Sequence, residues 1–365
     1  MKKSLLWLLI MILAVSMIAT FSLAGCKKEE AVEEALAEEA VEEAPAVEEA
    51  PAEEEAVEET AEATEETEAI VRTPFSQLNG DGMTFGLYVN NLSNPFFADA
   101  AAGAEEAAKE LNVNLLIGAS PAGVDQADQV RWLEDWIQMG IDAMGTCPPD
   151  PSGTVPVIAK AVEAGIPFIT FADDAADSER SVFISTDQYE AGKLQAEWIA
   201  AAMGGYGKVG IIEGIPGNTS NEERKEGILD VFNNYPGITV VRTIAANFDQ
   251  AQGMTAAEDI LTAVPDIDAF ICLSDTMALG AVQAVKSAGK LGIVKVIGMA
   301  GSPDAIDSLK NGELDGTLVM NSYEMGFRSV EWAVRLFIGE LPPDPPFIAI
   351  PQIFIDKQLV AKIMQ

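Results

Sequence analysis

The chain has 365 residues with no histidine, three cysteines and 58 acidic against 22 basic residues, a formal charge of −36. Without histidine the commonest general base and transition-metal ligand is missing, so Ser-His and Cys-His nucleophile schemes are excluded, and no metal or cofactor is expected. No GxxxxGK[ST] run occurs and basic clusters are lacking, which argues against a P-loop nucleotidase and against nucleic acid as a partner.

Lys2 and Lys3 precede an apolar run from Leu5 to Leu23 that ends in Leu23-Ala24-Gly25-Cys26. A positive start, an apolar stretch and small residues before a break read as a secretory signal. "LAGC" resembles the lipobox of bacterial lipoproteins, which implies that Cys26 carries lipid and becomes the mature N-terminus. The competing reading is an uncleaved membrane anchor, since about 19 apolar residues are long enough to span; an anchor does not account for the cysteine after Ala-Gly. Either way the rest is exported and tethered. Residues 27–72 hold 19 Glu against Lys27, Lys28 and Arg72, a net −16. With few large apolar residues, this segment is expected to stay disordered and extended by self-repulsion, as a spacer or as a tolerated solvated tail. The signal carries +2, which leaves −22 of the −36 for residues 73–365.

From Met83 the pattern is regular. "MTFGLYV" and "NVNLLIG" read as strands around the helical "FADAAAGAEEAAKEL", a βαβ unit. There follow helix "ADQVRWLEDWIQMG", strand "IDAMGTC", helix "GTVPVIAKAVEAG" and strand "PFITFA". A second series begins after "VFISTDQYEAGKLQAEWIAAAM" with strand "GKVGIIEG" and helix "NEERKEGILDVFNNYPG". It continues through "ITVVRTIAA", "QAQGMTAAEDILTAV", "DAFICLS", "DTMALGAVQAVKSAG", "VKVIGMA" and "PDAIDSLKNG". The alternation predicts two α/β lobes in tandem, each with a parallel sheet buried on both faces.

In open α/β sheets ligands bind beyond the carboxyl ends of strands. The residues just past the predicted strands are Asn94-Pro95-Phe96-Phe97, Asp173 and Asp174, "IPGNTSNEER" with Arg224, Phe248, Ser274 with Asp275, and Ala300. "GIPGNTS" lacks the lysine of a phosphate loop, and helix capping by Asn218, Thr219 or Ser220 explains it more simply. Asp275 is expected to cap the helix that follows it.

Taken together and in order, "NPFF", "AGIPFIT", "NTSNEERKEG", "NFDQAQGMTAAEDILTAVPDIDAFICLSDTMALGAVQAVKSAGK" and "IGMAGSPDAIDSLKNGEL" resemble the type I periplasmic-binding-protein family, in particular ribose-binding-like receptors of ABC importers, over about residues 83–365. The resemblance implies two Rossmann-like lobes joined by a three-segment hinge, 83–187 plus 321–349 and 188–320 plus 350–365, closing on a ligand between them. In the family the paired aromatics stack on a sugar face, which implies that role for Phe96 and Phe97 with Phe248 opposite; Asn94 and Arg224 would bind ligand oxygens. Read without the resemblance, Phe96 and Phe97 are a helix-start staple, Phe248 is core and Arg224 is solvated surface. Cys147 and Cys272 fall in different lobes and are not expected to pair.

This chain departs from the family's sugar-binding pattern at Ala172, Ser274, Ala300 and Met320, where hydroxyl-binding side chains are usual. Asp173 or Asp174, shifted by one residue, would replace one carboxylate, and Asn321 the amide. The expectation is a lipid-anchored, extracytoplasmic, monomeric receptor without catalytic role that delivers a sugar-like solute to an ABC permease. That solute is expected to carry fewer hydroxyls than glucose, or an apolar or anionic group. A sensing subunit for a chemoreceptor or kinase shares the same site chemistry. A hydrolase built on Asp173 and Asp174 is disfavoured because adjacent residues rarely face one bond from opposite sides.

Overall fold

The structure is a computed structural model that describes residues 72–121 and 123–363. The signal, Cys26 and the acidic stretch up to residue 71 lie outside the described residues. A 3-10 turn (Phe75–Gln77) leads into β1 (Thr84–Val89), α1 (Pro95–Leu111), β2 (Asn114–Ala119), α2 (Gln126–Met139), β3 (Ala143–Thr146), α3 (Pro151–Glu163), β4 (Phe168–Phe171) and β5 (Val182–Ser185). The second series is α4 (Gln188–Ala202), β6 (Tyr206–Glu213), α5 (Thr219–Phe232), β7 (Gly237–Ala245), α6 (Gln250–Ala263), β8 (Ala269–Cys272), α7 (Asp275–Ser287), β9 (Lys295–Ala300), α8 (Pro303–Lys310) and β10 (Gly316–Val319). The chain then adds α9 (Ser322–Phe337), β11 (Phe347–Ala349), β12 (Ile353–Asp356) and α10 (Lys357–Ile363).

Among the described residues the strands form two six-stranded sheets, ordered β2-β1-β3-β4-β5-β11 and β7-β6-β8-β9-β10-β12. The two lobes repeat one topology, and in each the order reverses beside the first strand, between β1 and β3 and between β6 and β8. Such a reversal leaves a crevice at the carboxyl ends of the strands. Both faces of each sheet are covered. Phe85, Leu87 and Val89 of β1 face one core, while Tyr88 packs with Trp136 and Met144 on the other side.

Three short segments carry the chain between the sheets: 186–187, 320–321 and 350–352. The third explains the one departure from the expected parallel sheets, since β12 pairs antiparallel with β10. β11 runs parallel to β5 and leaves its lobe at the strand carboxyl ends. With no helical crossover to turn it round, the chain enters the second sheet from that same end and must run against its neighbours.

The helices that open on the crevice start at polar caps. Asn94, Asn218, Ser274 and Ser302 accept from backbone N–H groups two or three residues on, at the starts of α1, α5, α7 and α8. α4 and α5 pack through paired glycines. A Cβ on Gly192 would stand 2.0 Å from the Arg224 carbonyl oxygen, and one on Gly227 would stand 2.1 Å from that of Tyr189. Gly192→Ala is therefore expected to lower stability by about 1–3 kcal/mol through overpacking. An unhindered Gly→Ala in a helix gains up to about 1 kcal/mol, so the sign of the shift in urea midpoint checks the contact.

Candidate functional site

A cavity of about 510 Å³ lies between the strand ends of the two lobes. Asn90, Asn94, Phe96, Phe97, Cys147, Ala172 and Asp173 line it from the first lobe, Arg224, Phe248, Ser274, Asp275 and Ala300 from the second, and Met320 from a crossing segment.

Among the described residues the guanidinium of Arg224 is the cavity's only cationic lining group, and it is 7% exposed. Its Nε donates to Gln188 Oε1 at 2.8 Å, Nη1 to the Leu273 carbonyl at 2.8 Å, and Nη2 to Met320 Sδ at 3.6 Å. Thioether sulfur is a weak acceptor. No carboxylate lies within ion-pair distance of Arg224 among the described residues. Burial pulls its pKa down to about 10 and the field of Asp173 works against that pull, so the group stays charged at neutral pH.

Asp173 bridges the lobes. Its Oδ1 accepts from the Ser220 N–H at 3.2 Å, at the start of α5, and its Oδ2 from the Cys147 thiol at 3.2 Å. A carboxylate at a helix N-terminus is favoured by the helix dipole. Asp174 points elsewhere and is not among the lining residues. Thr170, the Ala175 N–H and the Arg180 fork hold its carboxylate, with Arg180 Nη2 at 2.6 Å. The expectation that either aspartate could serve is corrected: Asp174 is occupied by its own lobe.

Asn94 Oδ1 caps α1 by accepting from Phe96 N at 3.0 Å, so its amide hydrogens are what it can offer a ligand. The Phe96 and Phe97 rings meet edge to face at 5.2 Å; both line the cavity and both pack on the lobe core, so the stapling and wall roles coexist. Phe248 faces the cavity from the other lobe. Gly214 makes room for it, since a Cβ there would stand 2.0 Å from the ring.

Two cap assignments are settled. Asn218 caps α5. Ser274 caps α7, accepting from Met277 N at 3.3 Å, so Asp275 is not the cap. Asp275 instead reaches across its lobe, accepting from Thr317 Oγ1 at 2.6 Å and the Ser302 N–H at 2.7 Å, and burial raises its carboxyl to about 6. Asn321 lies outside the lining, at the N-cap of α9, where it accepts from Glu324 N.

Sequence reasoning overlooked Asn90 and Gln188. Asn90 follows the last residue of β1, is 4% exposed, and its Oδ1 has no hydrogen-bond partner among the described residues. Its position after a strand was the available signal. Gln188 starts α4 and holds Arg224 in place, which no strand-end rule would find.

The backbone around the cavity is also unusual. Ala172, Asn247, Phe248, Ala300 and Asn321 have positive φ, from 50° to 137°. All five follow or end a strand at the crevice, and such conformations persist where surrounding structure over-determines them.

Residues 85–341 match the family described as periplasmic binding protein domain. The ribose import binding protein of Bacillus subtilis (strain 168) is 32% identical over 267 residues, 73% of this chain and 86% of that protein. The D-allose-binding periplasmic protein of Escherichia coli (strain K12) is 32% identical over 251 residues, 66% and 80% of the two. Among solved structures, an ABC transporter periplasmic solute binding protein from Actinobacillus succinogenes 130z with bound D-allose aligns at TM-score 0.72 and 31% identity, covering 77% of this chain and 99% of that one. An ABC transporter solute binding protein from Bacillus halodurans C-125 with bound myo-inositol aligns at TM-score 0.72 and 26% identity, covering 78% and 98%.

Cys147 and Cys272 are free and fully buried, and burial raises both thiols. In the native protein a maleimide is expected to modify neither, although Cys147 borders the cavity; after denaturation without reductant both should react. Peptide mapping checks this, and a Cys147–Cys272 link would contradict it.

Proposed function

We propose that this chain, which belongs to the periplasmic binding protein family, is an extracytoplasmic receptor that binds one small sugar-like solute between its lobes and presents it to an ABC permease. The observation that carries the reading is the buried Arg224, which lacks an ion-pair partner among the described residues and faces a cavity walled by Phe96, Phe97 and Phe248. A guanidinium fork suits ligand oxygens. Aromatic faces suit the C–H face of a sugar ring, where burying roughly 50 Å² contributes about 1 kcal/mol. Asp173 and Asn90 supply acceptors, Asn94 a donor. The relatives that bind ribose or allose support the solute class. No catalytic chemistry is needed.

The lobes that close are taken as 83–187 plus 321–349 and 188–320 plus 350–365, with Asp173 and Ser220 meeting across the crevice. Lipidation at Cys26 would tether the receptor to the cell membrane as a monomer, with residues 27–72 as spacer.

Arg224→Ala is expected to weaken solute binding by about 2–5 kcal/mol, because its partners are left buried and unpaired. That corresponds to roughly 30-fold to several-thousand-fold. Calorimetric titration of both proteins checks it; a change below about threefold would remove Arg224 from the site.

A further inference from the structure

The cavity lining offers hydrogen bonds unevenly. The Arg224 fork, Asp173 and the unpartnered Asn90 carbonyl oxygen supply them, and Met320 Sδ borders the fork at 3.6 Å. At the cleft ends of β9 and β10 stand Met299, Ala300 and Met320, side chains that neither donate a hydrogen bond nor accept a strong one. Asp275, a lining carboxylate from the neighbouring β8–α7 junction, is engaged by Thr317 and the Ser302 N–H. A hydroxyl placed there would exchange water for thioether and methyl groups, and a buried polar group without a partner is costly.

The charge balance is a second observation. Asp173 lies in the same cavity as Arg224 and opposes its charge, and Asp275 adds a carboxyl to the wall. Glu223, next to Arg224, has its carboxyl pushed up by burial and then by Asp187, Asp173 and Asp174, which marks a negative field. An anionic solute would bring further negative charge into it.

Resting on the sugar-like reading above, we propose that the preferred solute is an uncharged, partly deoxygenated sugar or polyol. Its hydroxyls meet Arg224, Asp173 and Asn90, and a methyl or methylene edge meets Met299, Ala300 and Met320. Adding a hydroxyl to a group bound in an apolar pocket costs at most about 100-fold, so the expected preference over the fully hydroxylated counterpart is about 10- to 100-fold.

The test is calorimetric titration with matched sets: D-fucose, D-galactose and D-galacturonate; 6-deoxy-D-glucose, D-glucose and D-glucuronate; 2-deoxy-D-ribose and D-ribose. The deoxy member should bind at least about tenfold tighter in at least one set, with the uronate weakest. Ala300→Asn and Met320→Gln each place an amide at the apolar end and should move that ratio toward the hydroxylated sugar, with thermal unfolding run alongside to verify folding. Tighter binding of the hydroxylated sugar or uronate in every set overturns the inference and leaves the sugar-like reading standing, as does a ratio that neither folded variant moves. Failure of every compound to bind overturns both.

Discussion

A guanidinium taken out of water costs several kcal/mol unless its hydrogen bonds are replaced, and the arrangement of the second lobe around Arg224 answers that requirement. Gln188 reaches it from the start of α4, the Leu273 carbonyl from beyond β8, and Met320 from the crossing after β10. α5, which carries Arg224, is pressed against α4 through Gly192 and Gly227 with no side chain between the backbones. The fork is thereby aimed at the crevice. Its remaining capacity is turned toward the cavity, with only a thioether to meet Nη2.

The same economy appears in the lobes. Each sheet reverses its strand order beside its first strand, so the crevice is bounded by two sets of loops at strand carboxyl ends. Positive φ values gather there, at Ala172 and Asn321 on one side and at Asn247, Phe248 and Ala300 on the other. At Ala172 the strained turn leaves the carbonyl accepting from Ser185 Oγ and Gln188 Nε2, while Asp173 turns toward Ser220. Strain at the strand ends and order in the sheets are thus two parts of one arrangement: sheets that hold a few side chains at a gap beside the three short segments joining them.

Much of the architecture was legible because strand and helix periods are strong from Met83 to about Gly312. Each expected strand there is present within a few residues, and even Pro156 inside α3 did not disturb the reading. In the last 53 residues the amphipathic α9 carries a helical period that the sequence reading left unused, while the strands carry none. β10, β11 and β12 are three or four residues long, and the direction of β12 depends on which lobe the chain has just left. The lining of the candidate cavity was legible where a side chain follows a strand, as at Phe96, Phe248 and Arg224's helix. It was not where adjacent residues compete for one role: Asp173 and Asp174 differ only in which way the backbone turns after Ala172, and Ser274 and Asp275 only in which one the α7 N–H groups select. Such choices are made by tertiary partners, Arg180 in the first case and Thr317 in the second.

The central claim is that one small neutral polyhydroxy solute is held between the lobes by Arg224. Native mass spectrometry of the protein incubated with a mixture of sugars and polyols measures it directly. The account predicts a single one-to-one adduct of monosaccharide or polyol mass on the wild-type protein and its loss from a folded Arg224→Ala variant. An adduct retained equally by both proteins, or none on the wild type, would contradict it.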